Sequence, residues 1–367
     1  MKHIIISDTH APCCIEKIQS YLNEVLKQHT DVDAIVINGD LLGIFSMDKS
    51  SLHKGKDLST EELDNYLKAA APKFYNEFKR TGSITADMIK EYVEERYEWA
   101  YDRIFEFSKL KKTIFNMGNH ESPLHFLVLE EIPFLTGCDP NIIKSIDKKE
   151  LNIIFELFES KLQKLEQEGN FKYIRNDVYV DEDTLIVGIP GESHATEGQD
   201  FFSQKQEEKT KELIEKAKTH LSKVSNIIIY NHTQGKYNHT TGEFNTASKS
   251  LREFMHNIPP NVLRRVFVQS HNHWPHSQFM INNGFNILLN NAGLHDGIFN
   301  LISFDMLNIE AHDIDSTNKR TTKMKIGTES KPFKNDEELL ARYYPNPKAV
   351  IARNEAYALL NTLTISL

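Results

Sequence analysis

The chain has 367 residues, with 43 Lys and Arg against 52 Asp and Glu, a formal net charge of −9 and 40% hydrophobic residues. This is chain enough for one large domain, or one domain with a substantial insertion, and its acidic balance argues against broad nonspecific attraction to nucleic acid or anionic membranes, though a local basic groove can coexist with it. No run of about 18 apolar residues occurs and the first short strand is followed at once by Asp8, so neither a membrane span nor a signal peptide is expected, no membrane is expected as a partner, and the expected location is cytoplasmic. Cys13, Cys14 and Cys138 form neither a disulfide framework nor a Cys-x-x-Cys clip.

In chain order, the first apolar β-prone run is His3-Ile4-Ile5-Ile6. A helix is predicted over 15–29 from the stripe Ile15, Ile18, Leu22, Val25 and Leu26, and a second strand at Ala34-Ile35-Val36-Ile37 completes a β-α-β unit. The long interval to the next strand is helix-prone: Ile89, Val93, Tyr97, Ala100, Ile104 and Phe107 recur at three and four residues, with Thr85 placed as an N-cap. Its aromatics, Phe74, Tyr75, Phe78, Tyr92, Trp99, Tyr101 and Phe105, are read as packing before substrate lining. Thr113-Ile114-Phe115 is the third strand. Leu151, Ile154, Phe158, Leu162 and Leu165 mark another helix that stops at Gly169, and 171–189 reads as strands.

A loop at 188–194 could border a site through His194, and a helix follows around 205–221. Strands are expected at Asn226-Ile227-Ile228-Ile229 and Val266-Phe267-Val268. The segments 277–281, 285–290, 298–304 and 307–313 read as one antiparallel meander, with Asn282-Asn283-Gly284 as a hairpin turn. The expected architecture is α/β: a two-sheet β-sandwich flanked by helices. The domain is drawn at 1–314, with a helical insertion at about 53–111 and a helical segment at about 141–169; 315–337 reads as a flexible linker and 338–367 as a helical tail. The insertion and the tail are the places where a second copy or another partner could bind.

The chemistry lies where the strands end. Asp8-Thr9-His10, Gly39-Asp40, Gly118-Asn119-His120-Glu121, His232 and Ser270-His271-Asn272-His273 each follow an apolar run, and residues just past strand ends converge where open α/β folds place their sites. Carboxylate, imidazole and amide oxygen without thiolate suit manganese, iron or zinc and disfavour a closed structural zinc site.

With these segments the chain resembles the calcineurin-like metallophosphoesterases, whose pattern runs D-x-H, G-D, G-N-H-D/E, H, G-H-x-H; the likeness spans about residues 3–305. The resemblance implies the metallophosphoesterase fold and two divalent ions, manganese first, with iron or zinc as alternatives. It assigns Asp8, His10 and His273 to one ion, Asn119, His232 and His271 to the other, and Asp40 to the bridge, where a carboxylate offsets the repulsion of cations about 3.5–4 Å apart. It further implies attack on phosphorus by a bridging hydroxide, with His120 assisting the leaving oxygen. Glu121 is left between orienting a neighbour and opening the next helix.

Gly39-Asp40-Leu41-Leu42-Gly43 departs from the G-D-Y-V-D-R-G of the protein serine/threonine phosphatases, and Ser270 stands where Gly is usual in the last motif. Gly118-Asn119-His120-Glu121-Ser122-Pro123 is similar to the Mre11/SbcD-type nucleases. The expected substrate is a phosphodiester of nucleotide or nucleic-acid type. A nucleotide or small-molecule phosphomonoester is the alternative, and a noncatalytic binding scaffold, as in the retromer subunit of this fold, is the alternative of another class. Lys236, His239, Arg252 and Trp274 lie near the ligand segments as candidate phosphate or base contacts.

Overall fold

In a computed structural model of the chain, the residues described are 1–9, 12–42, 60–121, 132, 136, 142, 146–191, 204–233, 235–238, 243–246, 248–274, 278–282, 284–291, 298–304, 309–315 and 320–326. The first β-α-β unit forms as expected: β1 (Lys2–Ile6), α1 (Pro12–Gln28) and β2 (Ala34–Asn38), with β1 and β2 parallel. Three helices follow, α2 (Thr60–Ala70), α3 (Pro72–Thr81) and α4 (Ala86–Leu110), and then β3 (Thr113–Asn116), parallel to β2. Thr85 caps α4, its side chain accepting the Met88 N–H. Ala71 offers α3 no such cap, and the Glu95 carboxylate of α4 instead takes the Lys73 and Phe74 N–H groups, each at 2.9 Å.

Then come α5 (Lys148–Gln167), β4 (Phe171–Tyr173), β5 (Asp177–Asp181), β6 (Thr184–Ile189), α6 (Gln204–Lys218), a 3-10 turn (Leu221–Lys223), β7 (Asn226–Asn231), β8 (Gly235–Asn238), β9 (Glu243–Thr246), α7 (Lys249–His256) and β10 (Arg264–Trp274). Five strands complete the described chain: β11 (Gln278–Asn282), β12 (Phe285–Asn291), β13 (Ile298–Phe304), β14 (Ile309–Asp315) and β15 (Arg320–Ile326). One sheet has the order β15-β14-β13-β1-β2-β3-β4 and the other β11-β12-β10-β7-β6-β5, while β8 and β9 form a separate hairpin.

Strand alternation divides the apolar side chains among three layers. Ile5, Ala34, Val36 and Ile114 of the first sheet pack against Ile186, Ile228, Tyr230, Val266 and Val268 of the second, so the sheets meet face to face. Their neighbours Ile4, Ile6, Ile35 and Ile37 point outward into a layer shared with α1 through α5, and Leu185, Val187, Ile227 and Ile229 pack with α6 and α7. The sandwich flanked by helices is therefore the observed fold. In α4 the predicted stripe is buried, and the expected packing of the aromatics holds: Phe74 and Tyr92 are buried with ring centroids 4.9 Å apart, while Tyr75, Phe78, Trp99, Tyr101 and Phe105 pack around the same cluster. Among the described residues no helix is long and apolar enough to cross a membrane.

Three expectations need correction. The meander from 277 to 313 is split between the sheets: β11 and β12 form a hairpin on the second sheet, where β12 runs parallel to β10, and β13 and β14 join the first beside β1. Local alternation identifies strands but not which sheet receives them, since each inner face offers the same apolar surface. Residues 315–337 are not wholly a linker, because Arg320–Ile326 pairs antiparallel with β14 over seven positions. The polar sequence Arg-Thr-Thr-Lys-Met-Lys-Ile hid a strand that takes the sheet edge beside β14. The third correction concerns β10, which runs through Ser270-His271-Asn272-His273 to Trp274 and does not end before them. The tail at 338–367, the insertion's first residues at 53–59 and His194 lie outside the described residues.

Candidate metal centre

The carboxyl ends of β1, β2 and β3 in one sheet and of β7 and β10 in the other meet at a common rim. Asp8 and Asp40 follow β1 and β2, both fully buried, both with positive φ (53° and 54°). These turns are locked together, with the Asp8 N–H donating to the Gly39 carbonyl at 3.0 Å and Thr9 N–H to the Asp40 carbonyl at 2.9 Å. Gly39 itself has φ +84°, and a Cβ there would lie 2.3 Å from His232 Nδ1, so only glycine fits.

In β10 the pairing with β12 shifts between Gln269 and Trp274, and His271 adopts φ 74° inside this irregularity. The distortion turns the His271 N–H onto Asp8 Oδ1 at 3.0 Å and brings its Nδ1 to 2.8 Å from Asn119 Oδ1. Asp40 binds the next motif, its Oδ1 accepting the His120 N–H at 2.9 Å. Its Oδ2 lies 3.0 Å from His232 Nε2, which is also 3.8 Å from Asp8 Oδ1. Ligand atoms of Asp40, His232 and His271 all lie within 4.8 Å of one another.

Five of the seven predicted ligands, Asp8, Asp40, Asn119, His232 and His271, thus converge. His10 lies outside the described residues, as does the side chain of His273. His120 is beside the cluster and buried. Of the more distant candidates, Arg252 gives its Nη1 to the Thr246 carbonyl at 2.7 Å, a structural tie; His239 and the side chains of Lys236 and Trp274 lie outside the described residues.

Charge in this cluster is mutually dependent. Burial, with Asp40's charge adding to it and His232 opposing, pushes the Asp8 carboxyl up to about 7. Burial disfavours a charged His232, but Asp40 and then Asp8 overcome it and raise that imidazole to about 10. Glu121 is buried near Asp40's charge and also rises to about 7, against the backbone N–H groups that favour its ionised form.

The donor set fits cations on a separate count. His232 Nδ1 lies 2.6 Å from the Asn38 carbonyl, which only accepts, so Nδ1 carries a proton and a neutral ring turns the Nε2 lone pair toward Asp40 Oδ2. Two acceptors opposed at that distance call for a positive charge between or beside them: a second ring proton, or a metal ion.

Beneath the rim lies a layer of buried amides that sequence reasoning passed over. Asn116 Nδ2 donates to Asn38 Oδ1 at 2.9 Å and to the Ile189 carbonyl at 3.0 Å; Asn38 Nδ2 donates to Ser270 Oγ at 2.8 Å; Asn231 Nδ2 donates to Gln269 Oε1 at 2.7 Å. The unusual Ser270 therefore links the sheets through its hydroxyl. The signal was present: Asn38, Asn116, Asn231 and Gln269 each stand at the junction of an apolar run and its motif. Gly191, within the loop expected to border the site, is also essential to its shape, since a Cβ there would lie 2.6 Å from Asn119 N and 2.7 Å from His232 Cδ2.

The calcineurin-like phosphoesterase family model matches residues 1–275. The chain belongs to the calcineurin-like phosphoesterase family. As such it is a hydrolase of phosphoester bonds in a family that uses divalent metals. Similar solved structures include the Plasmodium protein GAP50, described as the anchor in the inner membrane complex, at 12% identity and TM-score 0.39 with 95% of each chain covered. A predicted phosphoesterase from Streptococcus pneumoniae aligns at 9% identity and TM-score 0.28, covering 88% of this chain and 97% of that one. A phosphatase from Mycoplasma pneumoniae aligns at 11% identity and TM-score 0.30, covering 93% and 98%. No curated protein sequence matches this chain.

Proposed function

We propose that this calcineurin-like phosphoesterase holds two divalent cations through Asp8, His10, Asp40, Asn119, His232, His271 and His273, and hydrolyses a phosphodiester of nucleotide or nucleic-acid type. The carrying observation is the opposition of His232 Nε2 and Asp40 Oδ2 at 3.0 Å, in a cluster that also gathers buried Asp8 and Asn119 and half-buried His271. Asp8, His10 and His273 take one ion, Asn119, His232 and His271 the other, and Asp40 serves both. Manganese is the first choice, with iron or zinc suiting the same ligands. A divalent pair there supplies Lewis acidity toward a phosphoryl oxygen and lowers the pKa of water.

The chain's own groups supply the rest. The two aspartates bring the negative charge that offsets the cations, and the Asn38 carbonyl fixes the His232 tautomer so that Nε2 is the ligating atom. His120, whose backbone is tied to Asp40, gives a proton to the leaving oxygen. The diester preference is supported by the absence of the Asp and Arg of the protein-phosphatase G-D-Y-V-D-R-G pattern, where this sequence has Gly43 and Ile44, and by the likeness of Gly118–Pro123 to the nucleases.

The test is turnover of bis-p-nitrophenyl phosphate against p-nitrophenyl phosphate with manganese, zinc or iron. Faster cleavage of the diester is expected. A preference for the monoester replaces the substrate class, and no turnover of either with any of these metals overturns the hydrolytic reading in favour of a scaffold. His120→Ala is expected to keep its metal and lose about 10²–10⁴-fold in kcat. An equal loss across good and poor leaving groups would remove the proton-donor role.

A further inference from the structure

Glu121 is fully buried, and its carboxylate does something that neither capping nor orientation of His120 describes. Oε2 accepts the Gly118 N–H at 2.6 Å and the Asp40 N–H at 3.0 Å, while Oε1 accepts the Leu41 N–H at 2.7 Å and the Leu42 N–H at 2.9 Å. Four backbone donors from two separate loops thus converge on one side chain. One loop follows β2 and carries Asp40; the other follows β3 and carries Asn119 and His120. The loops touch closely, since a Cβ on Gly118 would lie 2.1 Å from Asp40 Oδ1. Glu121 is held from behind by α4: the Tyr97 hydroxyl donates to the Glu121 carbonyl at 2.7 Å, and the Tyr97 ring stacks on Phe158 of α5 with centroids 4.7 Å apart.

We propose that Glu121, anchored through Tyr97 to the α4–α5 pair, is a positioning residue that clamps the Asp40 and Asn119 loops at the separation their ions require. This rests on the metal-centre reading above. It also gives the helices between β2 and β3 a role toward the centre without substrate contact, because α4 reaches the ligand loops through Tyr97 and Glu121. A carboxylate is required for a geometric reason: both oxygens already receive two N–H donors each. Glutamine has nearly the same shape but would set its NH2 against two of those donors.

The experiment compares Glu121→Gln and Tyr97→Phe with the wild type. Manganese binding is followed by calorimetry and by the paramagnetic resonance of paired Mn(II), and amide exchange of the 38–42 segment is followed in metal-free protein. Glu121→Gln is expected to weaken manganese binding about 10–100-fold, the range typical of groups that support ligands, and to speed exchange at Asp40, Leu41 and Leu42. Tyr97→Phe, which keeps the ring packing and serves if the first variant does not fold, is expected to weaken binding severalfold in the same direction. Wild-type manganese affinity in either variant overturns the clamp while leaving the metal centre standing. A wild-type protein that binds no manganese, zinc or iron overturns the metal centre and the clamp together.

Discussion

Asp40→Asn separates metal binding from folding. In metal-free protein His232 Nδ1 is committed to the Asn38 carbonyl, so Nε2 must take a second proton to donate to Asp40 Oδ2 at 3.0 Å. Burial alone would lower His232, and it is Asp40, then Asp8, together with the Asn38 carbonyl, that raise it from 6.5 to about 10 and favour the imidazolium. Asparagine keeps an oxygen for the His120 N–H and places an NH2 where it can donate to a neutral Nε2, so a charged pair is replaced by a matched neutral one. The metal-free variant should therefore stay folded, with stability changed by about 1 kcal/mol, while His232 titrates at least about 2 pH units lower. Manganese affinity should fall beyond the roughly 100-fold typical of losing a supporting group, because a neutral amide cannot offset two cations. Proton NMR of the imidazole, urea unfolding and calorimetry read these three quantities. A variant that binds manganese like the wild type, or whose His232 still carries its proton at pH 8, would refute the reasoning.

Gly191→Ala should place a methyl group against the Asn119 amide and the His232 ring, costing about 1–3 kcal/mol in unfolding free energy and lowering manganese affinity at least tenfold; unchanged affinity would show that the loop yields freely. Between the sheets, burial holds His3 down at about 4, with Nδ1 2.6 Å from the Tyr230 hydroxyl. Its folded value lies below the unfolded 6.5, so its contribution is fully present above pH 6.5 and is lost as pH falls through 4. By pH 4.5 about 2–3 kcal/mol should be gone, and His3→Gln, which does not titrate, should lose that much less between pH 7 and 4.5 in urea unfolding. Equal losses in the two proteins would show that His3 does not drive the acid response.

Much of the architecture could be read directly because burial imposes simple periods. Ile4 through Ile6 and Ile227 through Ile229 are apolar at every position since both strand faces are covered, and the α4 stripe is regular because one helix face meets one core. The residues that gather at the candidate site were legible for a chemical reason: buried carboxylates and imidazoles clustered near strand ends have few other uses. What escaped depended on tertiary choices. The placement of β12 against β10, the edge strand β15 and the bulge in β10 follow from which surfaces remain open after the rest has packed. Three of Glu121's four backbone hydrogen bonds escaped because they join peptide N–H groups about 80 residues away in sequence, and backbone donors leave no residue-type signature.

The amide layer beneath the rim carries one more consequence. Hydrocarbon surfaces are indifferent to small lateral offsets, so two aliphatic sheets alone could glide over one another at little expense. Asn38, Asn116 and Ser270 make that motion costly, because a hydrogen bond tolerates little misalignment before it fails. Alignment of the candidate-site residues contributed by opposite sheets is thereby tied to these buried amide contacts. Redesign of the hydrocarbon interior should be forgiving in this protein, whereas exchange of a single buried amide for an isosteric leucine should leave a folded molecule whose two half-sites no longer face each other.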